Sequence, residues 1–314
     1  MRVLSGMDPS PSSREPPFPH RGDETVWVGL SILTALAAAS TDAWTKKFFG
    51  DGDAVTMAFY PLAYSLPLFA LSLPFVPVPA LDAVFWWCFA LSIPINCFSF
   101  VLYMEAIRLS PLSLTVPFLT LTPAFLVITG YTILGERASP AAVLGIAVIV
   151  FGGYLLNAPA ARHGLLHPLR AIATEKGSAM MIGVALIYSF SAVLGKKAIL
   201  HSSPLFFGMF FFLLQNFFLV GWAWATGAVR RGGLFRASAV FKGILVGVLY
   251  YLHVVLHVWA ISMTQAAYMI ALKRLSAVFG VLYGGWLFRE KHLAWRLTGA
   301  AMMVAGAAII AWAG

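Results

Sequence analysis

At 314 residues, 60% hydrophobic and only 11% charged, the chain is too apolar for a soluble domain, in which about a quarter of residues are charged. Its apolar residues come in continuous blocks of roughly 20, enough to cross a bilayer core as helices, and this excludes an outer-membrane barrel, whose short strands alternate apolar and polar residues. The formal charge of +9 comes from dispersed Lys and Arg, which suits anionic lipid headgroups and argues against nucleic acid, whose binding needs one basic stripe.

The segment through Glu24 is rich in Pro and Ser and has no apolar h-region. It reads as a disordered tail over 1–24 and not as a signal peptide. Ten spans follow, at 25–45, 54–74, 82–107, 112–134, 139–157, 178–198, 204–226, 239–262, 265–288 and 293–313. Gly, Asp, Pro or charged clusters such as GDGD at 50–53 and RRGG at 230–233 separate them. Cys88 and Cys97 fall on one predicted helix, too far apart for a disulfide.

A connector at 158–177 divides five spans from five, and the halves repeat one another. Glu136 and Glu290 are 154 residues apart (290 − 136). The same shift takes Ala106-Ile107 to Ala260-Ile261, Phe125 to Phe279, Gly130 to Gly284, Gly145 to Gly299 and Gly152 to Gly306. Lys46-Lys47 after the first span is echoed by Lys196-Lys197 after the sixth. A five-span unit inserts its second copy upside down, so the sequence predicts an all-α integral membrane protein of two inverted five-helix repeats, 25–157 and 178–314. Such repeats are a recurrent basis of alternating access, with the substrate site at their interface near the midplane.

The two copies, AIRLSPLSLTVPFLTLTPAFLVITGYTILGERASPAAVLGIAVIVFGG and AISMTQAAYMIALKRLSAVFGVLYGGWLFREKHLAWRLTGAAMMVAG, resemble the drug/metabolite transporter superfamily in its EamA-type ten-helix branch. The resemblance implies transport of a small molecule, a central cavity lined mainly by helices other than the fifth and tenth, and a plasma (inner) membrane setting. Orientation has two readings. Lys and Arg are denser in the loops opposite the termini, which by the positive-inside rule puts the termini outside. The resemblance implies cytoplasmic termini, and that expectation is adopted.

Lys273 and Arg274 lie side by side within the ninth span, roughly 12 Å along its helix from Ala266. An intramembrane charge is costly and points to a functional role by default, and neighbours about 100° apart on a helix cannot both face lipid. Snorkelling to the headgroups is the bland alternative. The pair also resembles the Lys-Arg pair with which plastid phosphate translocators hold phosphate. The first repeat has Leu119 and Thr120 there, so no further cation joins them.

Tyr250, His253 and His257 share one face of the eighth span, a polar strip for a cavity wall, with aromatic packing as the alternative. Metal is not expected, because HVVLH lacks the Glu of HExxH and no third ligand is evident. Asn96, Ser99 and Tyr103 are the corresponding candidates in the third span. Glu136 and Glu290 are expected to bind N–H groups at the start of the following helix. Asp42 and Glu105, read as lying near span ends, are candidate partners of Lys46 and Arg108, with a proton-coupling role as the lesser alternative. Gln215 and Asn216 suit ligand contact or interhelical bonding. Pro111, Pro117 and Pro123 favour bends in the fourth span, and Gly145, Gly152, Gly153, Gly299 and Gly306 suit close helix packing.

The resulting expectation is a secondary transporter of a small, phosphorylated or carboxylated anion held by Lys273 and Arg274. Its partners are that substrate and membrane lipid, with monomer and homodimer both open. An exporter of amino acids or amphipathic metabolites, with the cation pair structural, is the alternative. An intramembrane enzyme acting on lipid-linked substrates is disfavoured, since GxSxG, HExxH and paired-carboxylate patterns are absent at membrane depth. No cofactor is expected, and the chain has no GxxxxGK[ST] loop for ATP.

Overall fold

A computed structural model describes residues 24–50, 54–109, 116–157, 176–229, 237–288 and 293–313. The expected tail, most of the connector, Pro111, Arg108's side chain and Glu290 lie outside the described residues. The helices are α1 (Glu24–Phe49), α2 (Ala54–Ser72), α3 (Ala83–Leu109), α4 (Thr122–Leu134), α5 (Pro140–Asn157), α6 (Lys176–Leu200), α7 (Pro204–Ala225), α8 (Ala237–Met263), α9 (Ala266–Lys273), α10 (Ser276–Phe288) and α11 (Leu293–Ala313). A 3-10 segment, Val116–Leu121, leads into α4. The α9–α10 pair forms a single span. Seven spans are long and apolar enough to cross a membrane, three further helices are shorter and apolar, and the described residues contain no strand.

The packing follows the repeat. α1 lies along α8 as α3 lies along α6, α1 meets α9 and α10 as α6 meets α4, and α2 packs on α7. Replacing each span by the one five places on turns these pairs into one another, the signature of two inverted five-helix repeats.

The fifth and tenth spans, α5 and α11, seal the repeats together through glycine. A Cβ built on Gly145 would lie 2.8 Å from the Gly306 carbonyl oxygen, and one on Gly152 would lie 2.8 Å from that of Gly299. The 154-residue shift interchanges these two contacts. In lipid, association rests on close packing and not on the hydrophobic effect, so backbone approach across small residues is what holds such helices. Gly153 packs instead on the Thr120 side chain.

The ends of the bundle differ. Where α1 ends (face B), Gly243 and Gly247 of α8 lie on Tyr64 of α2, a Cβ at Gly247 falling 2.7 Å from Tyr64 backbone carbon. Where α1 begins (face A), the matching positions of α3 are Phe89 and Ile93. There α3 meets α7 through rings, Phe89 stacking on Phe210 at 4.9 Å and Phe85 tilted on Phe206 at 6.1 Å. Also on face A, Asp82 accepts the Phe85 N–H at 2.8 Å at the start of α3 and meets His201 Nδ1 at 2.6 Å. These contacts hold its carboxyl below the usual carboxylate range, the backbone bond contributing most.

Cys88 and Cys97 are free thiols on α3. Gly145→Leu is expected to destabilise the protein by about 1–3 kcal/mol, as overpacking does, whereas Leu144→Ala at an exposed position of the same helix should leave it near wild type. Thermal unfolding of the purified protein in detergent measures both.

Candidate functional site

The ninth span breaks at its cation pair. Lys273 ends α9, and Arg274 begins a tight turn before α10. Leu275 N–H bonds Leu272 oxygen at 3.0 Å, Ala277 bonds Arg274 at 3.0 Å and Val278 bonds Leu275 at 2.9 Å. These are i→i−3 bonds of the 3-10 type, which inside a helix marks a hinge or strain. The matching stretch of the first repeat holds Leu119 and Thr120 in the 3-10 segment Val116–Leu121, just before α4. The described residues thus hold 3-10 turns at corresponding positions of the two repeats, and irregular helices at such positions point to the binding region of such folds.

Arg274 links this turn to the start of α4. Its Nη2 donates to Thr122 Oγ1 at 3.0 Å, and Thr122 in turn donates to the Leu119 carbonyl at 2.7 Å. Lys273 and Arg274 are surrounded by protein yet half-exposed, so they border an internal space. Snorkelling does not describe this placement.

Other helices turn polar groups to the same place. On α1, Asp42 is surrounded by protein but still exposed, and it lies within electrostatic reach of Lys273. Tyr103 of α3 is near Asp42, Tyr188 and Arg274, and Tyr188 of α6 is near Arg274. On α8 the rings of Tyr250, His253 and His257 follow one another edge to face, at 6.1 and 6.3 Å. Both histidines are within reach of Lys273, and His257 also of Arg274. His253 Nε2, His257 Nδ1 and Arg274 Nε have no protein partner, which is costly for buried polar atoms unless water or a ligand meets them. The result is a polar centre at mid-span, built from five spans.

Two of the expected wall residues point elsewhere. Ser99 is fully buried and bonds the Ile95 carbonyl at 2.6 Å within α3. Asn96 donates to the Ser92 carbonyl at 2.9 Å and to the Ser191 hydroxyl of α6. Both spend their polarity on helix contacts because α3 packs closely along α6 at this level. Gln215 and Asn216 are buried in α7, and Asn216 donates to Ser65 of α2 at 3.1 Å. That is interhelical bonding, one of the two expected roles. Among the described residues no group of three or more His, Cys, Asp or Glu side chains is arranged to hold a metal.

Asp42 corrects the reading of it as a span-end acid. α1 continues to Phe49, so Asp42 sits about two turns inside the helix, within electrostatic reach of Lys273. Extending the first span past residue 45 was the missing step, since the rule on intramembrane charge then applies to it as well. Tyr188 was overlooked because the repeat offers no polar counterpart: the offset that matches Lys46-Lys47 to Lys196-Lys197 (196 − 46 = 150) leads from Tyr188 to Ala38.

Glu136 differs from expectation as well. Gly135, at φ 71°, ends α4 in a left-handed turn, and the Glu136 N–H returns to the Gly130 carbonyl at 3.2 Å. The carboxylate then crosses to the second repeat. Oε2 accepts the Ala266 N–H at 3.0 Å at the start of α9, and Oε1 pairs with Lys196 of α6, which also donates to the Thr264 carbonyl. The capped helix is therefore the one that carries Lys273, not α5. Gln265 Nε2 donates to the Arg137 carbonyl at 2.9 Å and the Ser139 N–H to Tyr268 hydroxyl at 2.9 Å, completing a cross-repeat network on face A.

The EamA-like transporter family matches this chain over residues 25–158 and 175–312, once in each repeat. The chain belongs to that family. It is therefore a membrane transporter of small molecules. No curated protein matches the sequence. A solved crystal structure shares the fold, with a TM-score of 0.66 and 18% identity, covering 92% of this chain and 96% of its own.

The Glu136–Lys196 pair is largely buried, at 10% and 6% side-chain exposure. Removing one partner strands the other charge, so Lys196→Met is expected to cost about 3–5 kcal/mol, and the Glu136→Gln/Lys196→Met double variant less. A double-mutant cycle by thermal unfolding checks this order.

Proposed function

We propose that this transporter is a secondary carrier of a small anion, phosphorylated or carboxylated, working by alternating access of the polar centre to the two faces. The observation that carries the reading is the placement of Lys273 and Arg274 at the 3-10 turn of the ninth span, half-buried and opposite the 3-10 segment that leads into α4. Irregular backbone at membrane depth belongs beside protein or a water-filled cavity and not against lipid. Two adjacent cations there offer charge-assisted bonds that an anionic ligand completes. The wall of Tyr250, His253 and His257, with Tyr103 opposite, suits the uncharged body of the substrate. Asn96 and Ser99, turned into helix contacts, are left out of the proposed site in this conformation. The carrier catalyses no bond change in this reading. Its membrane is the plasma (inner) membrane, with cytoplasmic termini.

Uptake into proteoliposomes of phosphorylated, carboxylated and zwitterionic metabolites identifies the substrate. For an anion, Lys273→Gln or Arg274→Gln should each raise the apparent dissociation constant about tenfold or more, the loss of one charge-assisted bond. Arg274→Lys should recover only part, because an ammonium lacks the planar fork. Undiminished transport by a folded Lys273→Gln/Arg274→Gln variant would contradict the reading.

A further inference from the structure

Anion recognition leaves one group of the polar centre without a task. Asp42 places a carboxylate within electrostatic reach of Lys273, where its negative charge opposes that of any anionic substrate. Among the described residues no hydrogen bond ties this carboxylate down, and it is exposed to the internal space. α1 packs against both α9 and α10, which keeps Asp42 within reach of the cation pair while its side chain is free to exchange partners.

The groups that face this space are Asp42 from α1, Tyr103 from α3, Tyr188 from α6, Tyr250, His253 and His257 from α8, and Lys273 and Arg274 at the break. Asp42 is the acid of this set. With it ionised and both cations charged, the centre carries one net positive charge. A dianion then takes the centre to one net negative charge, whereas a dianion arriving with a proton on Asp42 leaves it neutral. Like charges at close range disfavour joint ionisation, so the neutral arrangement is the better bound.

We propose that Asp42 is the proton-coupling site for a doubly charged anion: its carboxylate takes one proton from water as the dianion binds Lys273 and Arg274, and returns it to water when the dianion leaves at the other face. The cycle is a proton–anion symport. Nothing is oxidised or reduced, and the one proton gained at loading is the one lost at release. This proposal rests on the anion reading above. Linkage makes it reciprocal: the anion favours protonation of Asp42, and protonation of Asp42 favours the anion.

The test is calorimetric titration of the purified full-length protein with sodium sulfate, a dianion that does not itself titrate near neutral pH, in two buffers of different ionisation enthalpy. The expected result is uptake of about one proton per sulfate bound, with affinity falling up to about tenfold for each unit rise in pH where coupling is complete. Asp42→Asn should bind sulfate with no proton uptake and a nearly pH-independent affinity, and Asp42→Glu should keep the uptake. Sulfate binding by the wild type without proton uptake would overturn the proposal and leave the anion reading standing. Uptake that persists in Asp42→Asn and vanishes in Lys273→Gln or His257→Gln would overturn it too, moving the proton to another group. Absence of sulfate binding by the wild type would overturn the proposal for a small dianion, while the anion reading is decided separately by the uptake of phosphorylated and carboxylated metabolites.

Discussion

A lipid bilayer offers no hydrogen bonds, and that shapes every other feature of this protein. Each backbone N–H and C=O inside the membrane has to be paired within its own helix or beside protein or water. The ninth span tightens into 3-10 bonds at Arg274, opposite the 3-10 segment that leads into α4, and Arg274 reaches Thr122 across the divide between the repeats. The same enclosed setting admits the side chains that lipid would reject. Lys273, Arg274 and Asp42 gather there, with tyrosines and histidines around them. The 3-10 turns and the enclosed charges thus share one physical setting between the two repeats.

The surroundings of that space divide into fixed and changeable contacts. Backbone contact across Gly145–Gly306 and Gly152–Gly299 leaves α5 and α11 little room to slide, which suits a frame. The remaining spans carry the polar centre between two unlike ends, with glycine on tyrosine at face B and stacked phenylalanines at face A. The Glu136 network ties the start of α9 to the first repeat on face A. In the proposed cycle the inverted repeats exchange these roles, so the arrangement of one end passes to the other. Stacked rings can slide over one another at modest cost, whereas seated glycines separate only by moving backbone.

Much of this was legible in the sequence because it depends on period and repetition. Apolar blocks of membrane-spanning length gave the spans, and the matched Gly145–Gly299 and Gly152–Gly306 spacing exposed the repeat before any packing was seen. Lys273 and Arg274 stood out because charge at membrane depth is rare. What stayed hidden depends on which face a side chain presents once helices pack. Asn96 and Ser99 share the predicted face with Tyr103, yet only a close α3–α6 contact turns the first two into helix bonds. Glu136 reads equally well as a cap for the next helix or for a distant one, and the left-handed turn at Gly135 decides between them.

The claim that most needs testing is that the polar centre opens to each face in turn. Tyr188 lies midway along α6, beside Arg274, and a cysteine there in a Cys88→Ser/Cys97→Ser background reports its access to water. A membrane-impermeant thiol reagent applied separately to the two faces of sealed vesicles should label Tyr188→Cys from either face, and the identified substrate should slow labelling from both. Labelling from a single face under every substrate and pH condition would contradict the account.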